Sequence, residues 1–189
     1  GPVGCAILSK NVRPELVGSD IGCGMALFAL DAPARRLRLD KPAERLRCLG
    51  DDWNGAAPER LEEAGLAKTG FASALGTIGG GNHFCEVQAV GDVFDADALE
   101  GQGLKKDGLC LLVHSGSRGL GNAILEEVLR DGIAGLEPDS EQAATYRHRH
   151  DAAVRWASLN RQIIAGRAAE ALRMEARLIV DAPHNMLEE

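Results

Sequence analysis

The stretch Ser19-Asp20-Ile21-Gly22-Cys23-Gly24-Met25 constrains this chain more than any other. A carboxylate and a thiol stand three residues apart, and a glycine flanks the cysteine on each side. The backbone can therefore turn sharply and leave the thiolate uncovered. The apolar run Met25 to Leu30 reads as a buried strand leaving that turn, which gives the two donors a rigid support. Three histidines stand in equally distinctive settings further on. His83 follows Gly79-Gly80-Gly81-Asn82, His114 ends the apolar run Leu109 to Val113 and opens Ser115-Gly116-Ser117-Arg118-Gly119, and His184 lies in Pro183-His184-Asn185. One Asp, one Cys and three His form a plausible ligand set for one or two transition-metal ions. The chain must then fold so that distant segments meet.

Its 189 residues suffice for one domain with a core. Hydrophobic content of 45% and charged content of 26% are ordinary for a soluble globular chain. No apolar run approaches the roughly 20 residues of a membrane span, and no signal peptide is visible. Five cysteines, at 5, 23, 48, 85 and 110, are an odd number without a C-x-x-C pair. That pattern disfavours a disulfide framework and fits a reducing, cytoplasmic setting. Apart from Cys23, the cysteines read as buried structural thiols. A net charge of −7 argues against broad nonspecific nucleic-acid binding, though it leaves room for a local phosphate site. Both ends read as cut, so the chain is expected to be a piece of a longer protein; Gly1-Pro2 is equally consistent with a tag-cleavage scar.

In order along the chain, Gly4 to Ser9 reads as a short strand and Asp31 to Asp40 as a loop. A helix is expected around Pro42 to Arg47, with Asp40 its candidate cap, and helical spacing recurs over Glu59 to Lys68. Residues 82–90 alternate and read as a strand. Alternation separates His83 from Asn82, Phe84 and Glu86, unless a bulge beside the glycines re-aims one of them. Gly91 to Gly108 reads as an acidic loop, 109–113 as a central strand, and about Asn122 to Arg130 as a helix. Asp139 to about Met174 reads as two helices broken near Gly166, and Arg177 to Asp181 as a last strand. Without a clean βαβ alternation, the expected fold class is α+β, a mixed central sheet with flanking helices in one domain, residues 1–189.

Asp20, His83, His114 and His184 share a position at or near predicted strand ends, where folds gather functional side chains. Any one histidine is equally explained by core or surface placement; the set carries the signal. His148 and His150 read as a solvated basic face of a helix. The Ser115–Gly119 loop between strand and helix offers backbone N–H groups, and Arg118 adds a fork for an anionic oxygen. It also reads as an ordinary tight turn, and no Gly-Lys-Ser/Thr makes it a Walker loop. Glu86 is either a base or acceptor, or a strand-surface charge.

Together these stretches resemble a known family. Asp20 to Met25, Leu75 to Gln88 and His114 to Gly119 are similar to the signature motifs of the RtcB family of RNA-splicing ligases, in that family's order. Trp156-Ala157-Ser158-Leu159-Asn160-Arg161 and Pro183-His184-Asn185 resemble later segments of it. The resemblance implies an RtcB-like fold and a reaction: RNA ending in a 2′,3′-cyclic phosphate or 3′-phosphate is joined to a 5′-hydroxyl end, in RNA repair or tRNA splicing, with GTP and two Mn²⁺ ions. It implies that Asp20, Cys23, His83, His114 and His184 hold the metals, Cys23 as the bridge, and that Asn82, Glu86, Arg118 and Asn185 contact the nucleotide or its phosphates. The identity of the metal follows from the resemblance, since Mn²⁺ suits hard oxygen ligands better than a mixed S/N/O set.

The family's guanylylated histidine lies beyond the position of His184, in a segment this sequence lacks, as do the family's opening segment and its basic C-terminal region. Two other readings stand beside ligation: a metal-dependent phosphodiesterase that opens cyclic phosphates, and a non-catalytic module that binds RNA ends or a protein partner.

Overall fold

In the computed structural model, residues 4–37, 40–130 and 135–188 are described, with the side chains of 40–42 set aside. Gly1-Pro2 falls outside them, as does the capping role expected of Asp40. The elements in chain order are α1 (Pro14–Val17), β1 (Gly24–Pro33), α2 (Asp40–Arg45), α3 (Ala57–Glu63), β2 (Phe84–Ala89), α4 (Ala96–Gly101), β3 (Gly108–Ser115), α5 (Gly119–Arg130), α6 (Glu141–Leu172) and β4 (Ala176–Pro183), with short 3-10 turns between some of them.

The strands form one sheet in the order β2-β3-β1-β4. The α+β class holds, and all three pairings are antiparallel where the sequence left the sheet mixed. The apolar run 109–113 occupies a central strand, as its composition predicts. Alternation along β1 turns Ala26, Phe28, Leu30 and Ala32 to one face, opposite Val113, Leu111 and Leu109 of β3. That face packs on Ile164, Ala165 and Ala168 of α6. A second cluster gathers Ile21, Leu61, Leu75, Leu120, Ile124, Tyr146 and Trp156 around the other half of α6. The 32-residue α6 is thus the spine that both cores share. Its N-terminus is capped by Ser140, whose hydroxyl accepts from the Ala143 N–H at 3.1 Å.

Several expectations are corrected. Gly4 to Ser9 is not a strand: it is irregular and exposed, with Leu8 102% and Ile7 54% accessible. Helix α6 runs unbroken through Gly166, because the packing of Ile163, Ile164, Ala165 and Ala168 outweighs the roughly 1 kcal/mol a helical glycine costs. The acidic loop 91–108 contains α4, whose start is capped by Asp95 accepting from the Ala98 N–H. Strand β1 runs on to Pro33, into the segment read as a loop, and α5 begins at Gly119. His148 is exposed, but His150 is 2% accessible; its Nε2 accepts from the Leu187 N–H and its Nδ1 faces Asp151. Cys110 is buried as expected, whereas Cys5 and Cys48 are exposed.

Candidate metal centre

The Asp20–Cys23 turn is pressed against α6. Gly22 has φ +74°, and a Cβ there would stand 2.8 Å from the Val154 Cα and 3.0 Å from the Ala157 Cβ, so only glycine allows both the turn and the approach. The C-terminal side of β4 closes on the same turn. The N–H groups of His184 and Asn185 donate to the Cys23 carbonyl at 2.8 and 3.2 Å, and the Gly22 N–H donates to the Asn185 carbonyl at 2.8 Å. The Asn185 amide donates to the carbonyls of Val17 and Asp20 at 2.9 and 2.7 Å, which directs that side chain to bracing the turn. At the other end of the cluster, His114 sits on β3 opposite Met25 of β1 and Phe84 of β2. His83 lies in the turn just before β2, which frees it from the alternation that would have set it apart.

Five side chains from four separate segments thereby converge. Cys23 Sγ lies 3.1 Å from His114 Nε2 and 3.5 Å from His83 Nε2. His83 Nε2 is 2.9 Å from Asp20 Oδ2, and His114 Nε2 is 3.3 Å from His184 Nε2. The donors fall into two groups that share Cys23: Asp20-Cys23-His83 and Cys23-His114-His184, with the ligand atoms of each within 4.8 Å of one another. Cys23 and His114 are buried, and His184 is exposed.

The hydrogen bonds behind the rings fix what faces this space. The His83 Nδ1 stands 3.2 Å from the Ile78 carbonyl and the His114 Nδ1 3.1 Å from the Asn82 carbonyl. A carbonyl can only accept, so Nδ1 carries the hydrogen in each ring and Nε2 presents a lone pair. Backbone carbonyls behind imidazoles are the usual arrangement that orients histidines toward a metal. Lone pairs of His83 and Asp20 then face each other at contact distance, and the lone pair of His114 faces His184 Nε2. A shared cation or proton would relieve the facing pair, and the two donor groups fit one or two metal ions.

Electrostatics agree. Burial and the neighbouring Asp20 carboxylate push the Cys23 thiol up to about 12, with Arg161 opposing. Burial holds the His114 imidazole below its usual range, against the Asn82 carbonyl that favours its charged form; His184 and His83 lower it further. Burial raises the Asp20 carboxyl, but its contacts with His83 and Cys23 outweigh it, leaving the group below the ordinary carboxylate range.

The remaining expected residues lie around this cluster. Arg118, at φ +57°, packs on Gly79 with its Nε 3.5 Å from Thr77 Oγ1. Ser115 and Ser117 are buried; the Ser115 hydroxyl donates to the Ile78 carbonyl, and the Ser117 hydroxyl has no partner among the described residues. Asn82 and Glu86 are exposed, Glu86 accepting from Gln88 at 3.2 Å. Asn160 and Arg161, noted only as part of the family-like segment Trp156–Arg161, and Asp181, not singled out at all, are buried or half-buried directly behind the candidate ligands. A polar Asn-Arg pair amid the buried positions of a helix was the available signal.

A family profile described as tRNA-splicing ligase RtcB matches residues 49–189. The chain is 39% identical over 188 residues to an RNA-splicing ligase RtcB2 of Escherichia coli, covering 98% of this chain and 50% of that protein. It is 36% identical to an RNA-splicing ligase RtcB of Mycobacterium tuberculosis, covering 93% of this chain and 56% of that one, and 34% identical over 140 residues to a tRNA-splicing ligase RtcB of Pyrococcus horikoshii. The chain spans about half the length of the bacterial relatives it matches. With the profile covering most of its residues and its segments matched in order, the chain belongs to the RtcB family.

Proposed function

We propose that this chain is the metal-holding core of an RNA ligase that joins 2′,3′-cyclic phosphate or 3′-phosphate ends to 5′-hydroxyl ends, with GTP and Mn²⁺, in cytoplasmic RNA repair or tRNA splicing. The observation that carries the reading is the convergence of Asp20, Cys23, His83, His114 and His184 on one space with Cys23 common to both groups. Family membership supplies the reaction class. The half-length match to the relatives supports a longer protein whose remainder provides the guanylylated histidine.

Metal held by these residues would supply charge neutralisation and Lewis-acid polarisation at a phosphate, and a nucleotide would supply an activating group. The chain's own residues do the positioning. Cys23, common to both donor groups, would help to hold the metal as a thiolate; His83 and His114 present Nε2 because backbone carbonyls hold their Nδ1–H groups. Arg118, beside the Gly79–Gly81 loop, offers a fork to phosphate oxygens. Asn82 and Glu86 are exposed near the start of β2, which supports a contact of both with the nucleotide. Asn185 has both amide hydrogens engaged, so its share in nucleotide contact falls to its side-chain oxygen or its backbone.

The test is ligation by the full-length protein of RNA carrying a 2′,3′-cyclic phosphate to RNA carrying a 5′-hydroxyl, with and without GTP. Ligation that needs GTP and Mn²⁺ and disappears in Cys23→Ala is expected. Opening of the cyclic phosphate without GTP and without joining would favour a phosphodiesterase. Retention of unaltered RNA ends by both the wild type and Asp20→Ala would favour a binding module. Full ligation by Cys23→Ala would sink the site assignment.

A further inference from the structure

We propose that Arg161 is the positioning residue that holds the ligand-bearing segments in register, an inference that rests on the metal-centre reading above. Arg161 is 0% exposed, in the middle of α6. Its Nη1 donates to the Gly22 carbonyl and to the Ser115 carbonyl, each at 2.8 Å. Gly22 immediately precedes Cys23, and Ser115 immediately follows His114. Its Nε donates to Asp181 Oδ1 at 2.6 Å, and Asp181 stands on β4 three residues before His184. Asp181 is itself fixed by the Ser158 hydroxyl, which donates to Oδ2 at 2.5 Å. One planar guanidinium therefore touches the three segments that carry Cys23, His114 and His184.

The preceding residue extends the same hub to the fourth segment. Asn160 accepts from the Gly76 N–H at 2.7 Å and donates to the Thr77 carbonyl and the Ser115 hydroxyl at 3.2 Å each. The Ser115 hydroxyl donates to the Ile78 carbonyl, the same carbonyl that orients His83. A single turn of α6 thus fixes the backbone behind every histidine of the cluster and behind Cys23. Arginine's rigid fork suits three acceptors in fixed directions, and a lysine ammonium of equal charge cannot reproduce it. An uncompensated charge at this depth is costly, which is why Asp181 accompanies it. Arg161 Nη2 has no partner among the described residues, so the guanidinium acts through Nε and Nη1 alone.

The test titrates the full-length protein with Co²⁺ alone, reading the thiolate-to-cobalt charge-transfer band, the d–d bands and the affinity by chelator competition. Arg161→Lys is expected to stay folded by circular dichroism, to bind Co²⁺ about 10- to 100-fold more weakly, and to change the d–d envelope. Wild-type affinity and an unchanged envelope in folded Arg161→Lys overturn the proposal, since a merely structural role would lower the unfolding temperature and leave the spectrum alone. Should Arg161→Lys fail to fold, Asp181→Asn decides: it removes the anchoring charge with little change of shape, and a loss of affinity in the same direction supports the role while wild-type affinity overturns it. Cys23→Ala keeps this separate from the parent reading. Undiminished Co²⁺ binding by Cys23→Ala brings down the metal centre itself, whereas its loss beside an unaffected Arg161→Lys brings down only the role of Arg161.

Discussion

A carboxylate oxygen packed against a neighbouring Cα tolerates no added carbon, and Asp20 is held in that way. A Cβ on Gly116 would stand 2.1 Å from Asp20 Oδ1. Gly116 follows the strand that delivers His114, so the glycine lets the Asp20 turn and the end of β3 approach each other. Gly116→Ala should push the carboxylate out of line with His83 Nε2 while leaving Cys23, His114 and His184 in place. The fold should survive, since overpacking of one methyl costs about 1–3 kcal/mol. The expected outcome is loss of the metal held by Asp20-Cys23-His83, seen as a fall in bound metal from about two ions to about one by elemental analysis. Two ions retained at wild-type affinity would show that Asp20 is not a ligand. All five candidate ligands were legible as residues because each combines a donor with a local break in pattern. Their partners were not, because the bond from Arg161 to the Gly22 carbonyl spans 139 positions of sequence and leaves no local mark.

At the scale of elements, the helix α6 decides the architecture. Its buried positions, among them Tyr146, His150, Ala153, Trp156, Asn160, Ile164 and Ala168, recur at three- and four-residue intervals, which is the helical period. The four strands were legible from apolar runs and alternation, within a few residues at their ends. The break expected at Gly166 and the strand expected at Gly4 to Ser9 were misread for one reason. Local composition proposes an element, and tertiary partners accept or refuse it: residues 4–9 lie exposed outside the four-stranded sheet, and Gly166 sits on a helix against which two cores pack. Gly166 itself is exposed, and a Cβ there meets nothing within 4 Å. Gly166→Ala should therefore stabilise the protein by about 0.5–1 kcal/mol through the helix propensity regained. Thermal unfolding would register a rise of roughly 1–4 °C for a chain of this size. A fall instead would mean that the glycine serves a contact outside the described residues.

For the whole molecule, an ion held at this candidate centre would act as a fastening, because its donors come from four segments far apart in the sequence. No helix among the described residues is long and apolar enough to cross a membrane. Two apolar cores hold the described residues together, and a bound ion would add a cross-link to them. An ion that binds the folded state alone stabilises it by about 2.7 kcal/mol at a free concentration 100 times its dissociation constant. Added Mn²⁺ should accordingly raise the unfolding temperature by several degrees, and Cys23→Ala should remove most of that rise. The pH dependence has a definite sign. Without metal, the buried Cys23 thiol is held up to about 12, so it is protonated in folded and unfolded chains alike between about pH 6 and about pH 8, below its ordinary value near 8.5. Its own contribution to metal-free stability is present throughout that window and fades only as pH rises toward 12. Binding metal expels the thiol proton, so affinity falls about tenfold for each unit of acidification. His114 acts in the same direction at the acid end: burial keeps it neutral when folded, so below about 6.5 the unfolded chain takes up the proton more readily and stability declines. The Mn²⁺-induced rise in unfolding temperature should shrink steadily from about pH 8 to about pH 6. A rise of equal size at both ends, in the wild type, would mean that no thiolate forms on binding and that Cys23 is a bystander to the metal.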